Sequence, residues 1–255
     1  MTYDLIITNS HVMSSNGMIE KNIVIDDGKI KSITNEIPSC DKKIDASGLV
    51  SIPGLIDTHV HYGVYSPIDE AATTESHAAA IGGVTTMMRM FRLDGSYKDS
   101  LQKHLLASQT THYIDYTLHA SIFNDSQIEE MKYCTENQIL SFKIYMNLGG
   151  DVAHVYMEMN PGEQKLISSK VNMTNEIVEK IVKNASLLKC PVLVHAEDYQ
   201  ECSCGMKTEK EKHHDGLDSW SYSRSPEYEV KSIHTICEYG RKYNCTIYFV
   251  HIGSK

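Results

Sequence analysis

Hydrophobic positions in the first fifty residues come in short alternating stretches, and those after Leu55 fall into a longer, two-part rhythm. Residues 4–8 and 22–26 alternate or run apolar, Asp27-Gly28 is a hairpin-turn signal, and 29–34 resumes the pattern. A further stretch, 44–52, is punctuated by Gly48. Together these predict a small β-domain over residues 1–53, the N-terminal part of a β-sandwich, because so few strands cannot bury both faces alone. Beyond it, apolar runs at 55–60, 84–91, 113–120, 139–145, 191–196 and 245–251 predict strands. Helical patterns near 69–82, 97–109, 126–137, 174–189 and 226–242 lie between them. Thr174-Asn175-Glu176 and Ser225-Pro226 are helix-start signals, and the polar stretch from about 197 to 225 reads as a loop.

Repeated strand–helix units require a parallel sheet, and an α/β fold of the (β/α)8 TIM-barrel type is expected over residues 54–255. Only about six barrel strands are present, and roughly 200 residues follow the β-domain, whereas a full barrel takes about 250. The barrel is therefore expected to be incomplete at its C-terminus. An open, doubly wound six-stranded sheet is the structural alternative.

Composition narrows the class of partner. The 255 residues carry a formal charge of −9 and are 41% hydrophobic. That suits a globular core and argues against nucleic acid or an anionic membrane as partner. No stretch is apolar enough for a spanning helix, and Met1-Thr2-Tyr3-Asp4 lacks the basic flank of a secretion signal, so a cytoplasmic location is expected. Seven scattered cysteines lack metal-type pairing. Cys202-Ser203-Cys204 and His213-His214 fall in the polar stretch and read as bystanders.

The densest chemistry lies in Pro53-Gly54-Leu55-Ile56-Asp57-Thr58-His59-Val60-His61. Side chains two apart on a strand share a face, so His59 and His61 point the same way at the C-terminal end of the first barrel strand, where barrel active sites lie. Two converging imidazoles suit zinc or a similar divalent ion, although a strand histidine pair can also be mere decoration. Lys143, His195 and His251 end the fourth, fifth and sixth strands. Each alone reads as a strand cap meeting solvent. Four strands ending in ligand-type residues point to a metal centre.

These segments resemble the cyclic amidohydrolases of the amidohydrolase superfamily, most closely the hydantoinase and dihydropyrimidinase branch. The resemblance rests on Asp4-Leu5-Ile6-Ile7, Asp26-Asp27-Gly28-Lys29-Ile30, PGLIDTHVH (53–61), Ala80–Thr86, Asp115-Tyr116 with His119, SFKIYM (141–146), VHAED (194–198), Ser223–Glu227 and HIGSK (251–255), and it covers essentially the whole chain. It implies a hydrolase that opens a small cyclic amide of the hydantoin or dihydropyrimidine type. It implies two divalent metal ions, zinc expected, with His59 and His61 on the more buried ion and His195 and His251 on the more exposed one. Lys143 would be N-carboxylated and would bridge both; only its neutral amine can capture carbon dioxide. A metal-bridging hydroxide would attack the ring carbonyl, and an aspartate ending the eighth strand would move the proton. That aspartate is expected beyond Lys255, so the chain is expected to be a truncated form, inactive alone, of a protein that is a homo-oligomer at full length.

Three departures separate this chain from the family pattern. Leu148 stands where hydantoinases carry a tyrosine five residues after the lysine, and Tyr145 is nearby on the same strand. Gly63 stands where dihydroorotases and many allantoinases place an arginine two residues after the second histidine; Arg89 and Arg92 are possible substitutes. Asp57 and Asp198 do not match the missing aspartate, and Asp57 reads as a supporting residue. The alternatives are a dihydroorotase- or allantoinase-type hydrolase and a non-catalytic dihydropyrimidinase-like scaffold; retention of all five ligand-type residues argues against the scaffold.

Overall fold

The computed structural model describes Thr2–Ser254, so Lys255, the last residue of the HIGSK motif, lies outside the described residues. The chain divides into two compact units, Met1–Gly54 and Leu55–Lys255.

The first unit is one five-stranded sheet of β1 (Tyr3–Ser14), β2 (Gly17–Asp26), β3 (Lys29–Thr34), β4 (Cys40–Asp45) and β5 (Val50–Ser51). β1 alternates, burying Ile6, Thr8, Ser10 and Val12 on one face. Asp27 and Gly28 both adopt positive φ (51° and 64°), which matches the twist of a two-residue hairpin. β4 and β5 run parallel to β1. The stretch 44–52, expected as one strand, is instead the end of β4, a turn through Ala46–Gly48 and the short β5. Ala46 donates to the Thr8 carbonyl and Leu49 to that of Ala46, so the chain folds back before pairing again.

The second unit alternates strands and helices: β6 (Leu55–Val60), α1 (Ile68–Ile81), β7 (Val84–Phe91), α2 (Tyr97–Thr111), β8 (Asp115–Ser121), α3 (Asp125–Glu136) and β9 (Phe142–Tyr145). A hairpin of β10 (His154–Met157) and β11 (Ile167–Lys170) intervenes before α4 (Asn175–Leu187) and β12 (Val192–His195). Then come α5 (Tyr199–Glu211), α6 (Leu217–Tyr222), α7 (Pro226–Tyr243) and β13 (Ile247–Phe249). The six parallel strands lie in chain order, β6-β7-β8-β9-β12-β13. A doubly wound sheet would reverse that order at a switch point, so the structure excludes the doubly wound alternative.

Curling follows from which side chains meet. One face of the sheet packs Phe91, Phe142, Ile144, Val192 and Val194 against helix residues such as Leu101, Met131, Ile181 and Ile236. α4 shows why the helices dock: Val178, Ile181, Val182 and Ala185 recur at helical spacing and are all buried. On the other face, Met90 of β7 meets Leu193 of β12 and Val250. Contact between the second and fifth strands across that face requires a concave, half-barrel sheet.

The stretch 197–225 is not a loop. α5 begins at Asp198, whose carboxylate accepts from the backbone N–H groups of Gln200 and Glu201. Its buried residues, Cys202, Gly205 and Glu209, keep helical spacing, but only one is apolar, so hydrophobic periodicity could not reveal it.

Candidate metal centre

Four imidazoles and one amine converge at the C-terminal ends of the half-barrel strands. His59 and His61 share one face of β6 and the residue after it, and their Nε2 atoms are 3.2 Å apart. His195 ends β12, and its Nδ1 lies 3.2 Å from Nε2 of His251, which follows β13. The two pairs meet: the His59 and His251 rings stack with centroids 5.3 Å apart. His251 holds a left-handed backbone (φ 39°), a strained conformation that turns its ring back toward the other three.

The pair spacing suits a shared ion. Two nitrogens each about 2.05 Å from one tetrahedral zinc lie about 3.3 Å apart. The same spacing allows an imidazole N–H···N hydrogen bond, with the tautomer deciding the donor. Among the described residues, no three His, Cys, Asp or Glu side chains already enclose an ion-sized point. Three of the imidazoles, His59, His61 and His251, are biased toward the unprotonated form that ligation needs. Desolvation, then the Lys143 charge, pushes His59 down to about 4. His61, open at its edge, is lowered to about 3 by surrounding atoms and next by Arg92. His251 is lowered by burial and then by His195.

Lys143 lies on β9 and is fully buried. Its Nζ has no hydrogen-bond partner and sits 5.0 Å from the Tyr145 ring centroid. An unpaired buried ammonium is costly, and burial lowers this amine to about 7. An orphaned, readily neutral amine beside two histidine pairs fits a group that needs an added acid function to become a ligand.

Neighbouring side chains orient these groups. Glu197 Oε2 lies 3.3 Å from Nε2 of His195 and accepts from Arg224 at 2.7 Å. Arg224 stacks over Trp220 at 4.1 Å. Although burial opposes ionisation, His195 and Arg224 hold the Glu197 carboxyl down at about 2. These residues border a cavity of about 560 Å³ that also reaches His251 and Asn147. His119 bonds the Ser141 hydroxyl and lies 3.2 Å from the Thr58 carbonyl, tying β8 to β6 just below His59. Asp57 accepts from the His59 backbone N–H, and Asp198 caps α5 and pairs with Lys231 at 3.1 Å. Sequence reasoning left Glu197 and Arg224 without roles; their 27-residue separation carries no local signal.

The two candidate arginines part company. Arg89 points to the convex side, where it meets Glu158 at 2.6 Å and lies over the Tyr62 and Phe91 rings. Burial pushes Glu158 up to about 7, against the pull of Arg89. Gly63 has φ +85°, and a Cβ there would lie 3.2 Å from Ile68 and 3.4 Å from the Arg89 guanidinium. A side chain at position 63 would be strained by this φ and crowded by Ile68 and Arg89. Leu148 is buried in the main core, whereas the Tyr145 ring lies 6.4 Å from the rings of both His61 and His195.

The bystander cysteines and histidines do not assemble: Cys202 is buried and Cys204 exposed, while His214 bonds Glu209 at 2.9 Å.

No family model matches the chain. Its curated relatives include allantoinases, dihydroorotases and D-hydantoinases. An allantoinase of Bacillus licheniformis is 28% identical over 99% of this chain and 55% of its own length. A D-hydantoinase of Ralstonia pickettii is 28% identical over 98% of this chain and 52% of its own. The L-hydantoinase (dihydropyrimidinase) structure from Arthrobacter aurescens superposes with a TM-score of 0.81 at 20% identity, over 97% of this chain and 52% of that one. The chain thus spans about half the length of the relatives it matches.

Proposed function

Taking the chain as a relative of the cyclic amidohydrolases, we propose that it is the metal-binding part of a hydrolase that opens a small cyclic amide of the hydantoin or dihydropyrimidine type. The observation that supports this reading is the convergence of two histidine pairs on the unpartnered Lys143 amine. His59 and His61 would hold one divalent ion, His195 and His251 a second, with zinc the best match to an all-imidazole set. Two such ions would supply Lewis acidity toward the ring carbonyl and lower the pKa of water between them.

The chain's own residues do the rest. The Lys143 amine would add carbon dioxide, forming an N–C bond and releasing one proton, and the resulting carbamate would supply an anionic ligand that offsets the charge of the ions. Glu197, fixed by Arg224, accepts the His195 Nε2–H and leaves Nδ1 free for an ion. His119 and Asp57 hold the β6 backbone that carries His59. Tyr145, which burial keeps protonated up to about 12, lines the site with its ring, 6.4 Å from the rings of His61 and His195, while its hydroxyl lies 3.5 Å from that of Ser121.

Ring opening tests the reading. The zinc- and bicarbonate-loaded protein, with whatever sequence follows Lys255 in its gene, should release an N-carbamoyl acid from dihydrouracil or hydantoin. His59→Asn and Lys143→Ala should each abolish release. Activity that survives either change would overturn the proposal.

A further inference from the structure

The segment that carries His59 and His61 is held from its outer side by one buried ion pair. Arg89 of β7 stands in register with Val60, the residue between the two histidines. Its guanidinium lies 5.1 Å from the centroid of the Tyr62 ring. Glu158, which follows β10, meets that guanidinium at 2.6 Å, and neither side chain is exposed. A Cβ on Gly63 would lie 3.4 Å from the guanidinium and 3.6 Å from the Glu158 carboxylate. Both charges therefore sit against the residue two beyond His61.

Backbone hydrogen bonds complete the grip. Met159 donates to the Gly63 carbonyl at 2.8 Å, and Glu158 donates to the Arg92 carbonyl at 2.9 Å. The Arg92 N–H lies 3.3 Å from the Glu158 carboxylate. Glu158 thus joins the end of β7 and the turn out of β6 to the β10–β11 hairpin. The Tyr62 ring packs in the cluster of Ile68, Ala72 and Met87, and its hydroxyl bonds His112 at 2.6 Å.

His61 needs such an anchor. β6 ends at Val60, so strand pairing does not fix the residue that follows it. A ligand has to be held within about 0.5 Å of its productive place. Taking two charges out of water is expensive, and apolar residues of similar volume often replace a buried pair without loss of stability. What the pair adds is direction: a short charge-assisted bond admits one arrangement of the turn, where apolar packing admits several.

We propose that Glu158 is a positioning residue for the metal centre: through Arg89 and Gly63 it fixes the turn after β6 and so sets His61 against His59. This rests on the metal-hydrolase reading and extends it to a residue on the convex side of the sheet.

The test measures zinc affinity at each histidine pair separately, by chelator competition in bicarbonate-free buffer. His195→Ala leaves only the first pair to bind, and His61→Ala only the second. Into each background go Glu158→Ala, Glu158→Gln and the double change Arg89→Met with Glu158→Met. Glu158→Ala should weaken the His59–His61 pair about 10- to 100-fold, the usual effect of losing a partner behind a ligand, and leave the His195–His251 pair unchanged. Glu158→Gln keeps an acceptor for Arg89 and should recover part of the loss. The double variant should melt close to wild type yet bind as weakly as Glu158→Ala at the first pair, which separates positioning from stability. Full affinity at the first pair in the double variant would overturn the assignment. So would equal weakening of both pairs, by loosening or by unfolding, which would mark the ion pair as structural. A wild type that takes up no zinc at either pair would fail the metal-hydrolase reading and this assignment with it. Zinc-binding wild type with indifferent variants would fail the assignment alone.

Discussion

The imidazoles of His59 and His251 stack 5.3 Å apart although their strands, β6 and β13, are the two edges of the six-stranded sheet. In a flat sheet, five strand spacings of about 4.8 Å would hold them roughly 24 Å apart. Curvature alone brings them together, so the barrel geometry builds the site. Any ion bridging elements in this way also ties the sheet edges together.

Metal should therefore stabilise the fold. At free zinc about a thousandfold above the dissociation constant, binding to the native state alone adds about 4 kcal/mol. Thermal melts with zinc and with a chelator should differ by several degrees in wild type, and His59→Asn should lose most of the difference. Equal melts in wild type would contradict this.

Lys143 gives a pH signature in the metal-free protein. Its folded-state pKa is depressed from 10.5 to about 7, so between these values the unfolded chain holds a proton that the native state has released. Stability linked to this group is full above about 10.5 and is lost as pH falls through about 7. Lys143→Met removes the cost and should stabilise the chelated protein at pH 7 by on the order of a few kcal/mol. The advantage should shrink as pH rises toward 9. Urea midpoints at pH 7, 8 and 9 measure it.

Arg224→Ala should free Glu197 and loosen His195 without touching β6. Zinc affinity at the His195–His251 pair should fall about 10- to 100-fold, the usual effect of losing an outer partner. The site at His59 and His61 should be unaffected. Competition titration with a chromogenic chelator resolves the two sites.

Gly63→Ala places a Cβ at φ +85° and 3.2 Å from Ile68. It should cost about 1–3 kcal/mol, read as a lower urea midpoint with an unchanged m-value. An unchanged midpoint would mean the loop relaxes freely, and the space argument against an arginine there would fall.

Much of this was legible in the sequence. Apolar runs marked β6 and β7 to the residue, and the two-residue spacing of His59 and His61 announced a shared face. His195 ends β12 and His251 follows β13, as the strand pattern predicts, whereas Lys143, expected at a strand end, is the second residue of β9 and level with Leu193. What escaped was non-local or polar. Arg89 and Glu158 are 69 residues apart and meet only because the β10–β11 hairpin, itself unsignalled, returns to β7. α5 hides its helical face behind Gly205 and Glu209. The split between Arg89 and Arg92 depends on strand phase: three residues apart, they fall on opposite faces.

The central claim is that these four imidazoles and Lys143 hold a pair of divalent ions. The most direct measurement is anomalous scattering at the zinc edge from crystals grown with zinc and bicarbonate. The account predicts two peaks, one at His59 and His61 and one at His195 and His251, with carbamate density extending from the Lys143 amine between them. A single peak, or an unmodified lysine with both histidine pairs empty, would contradict it.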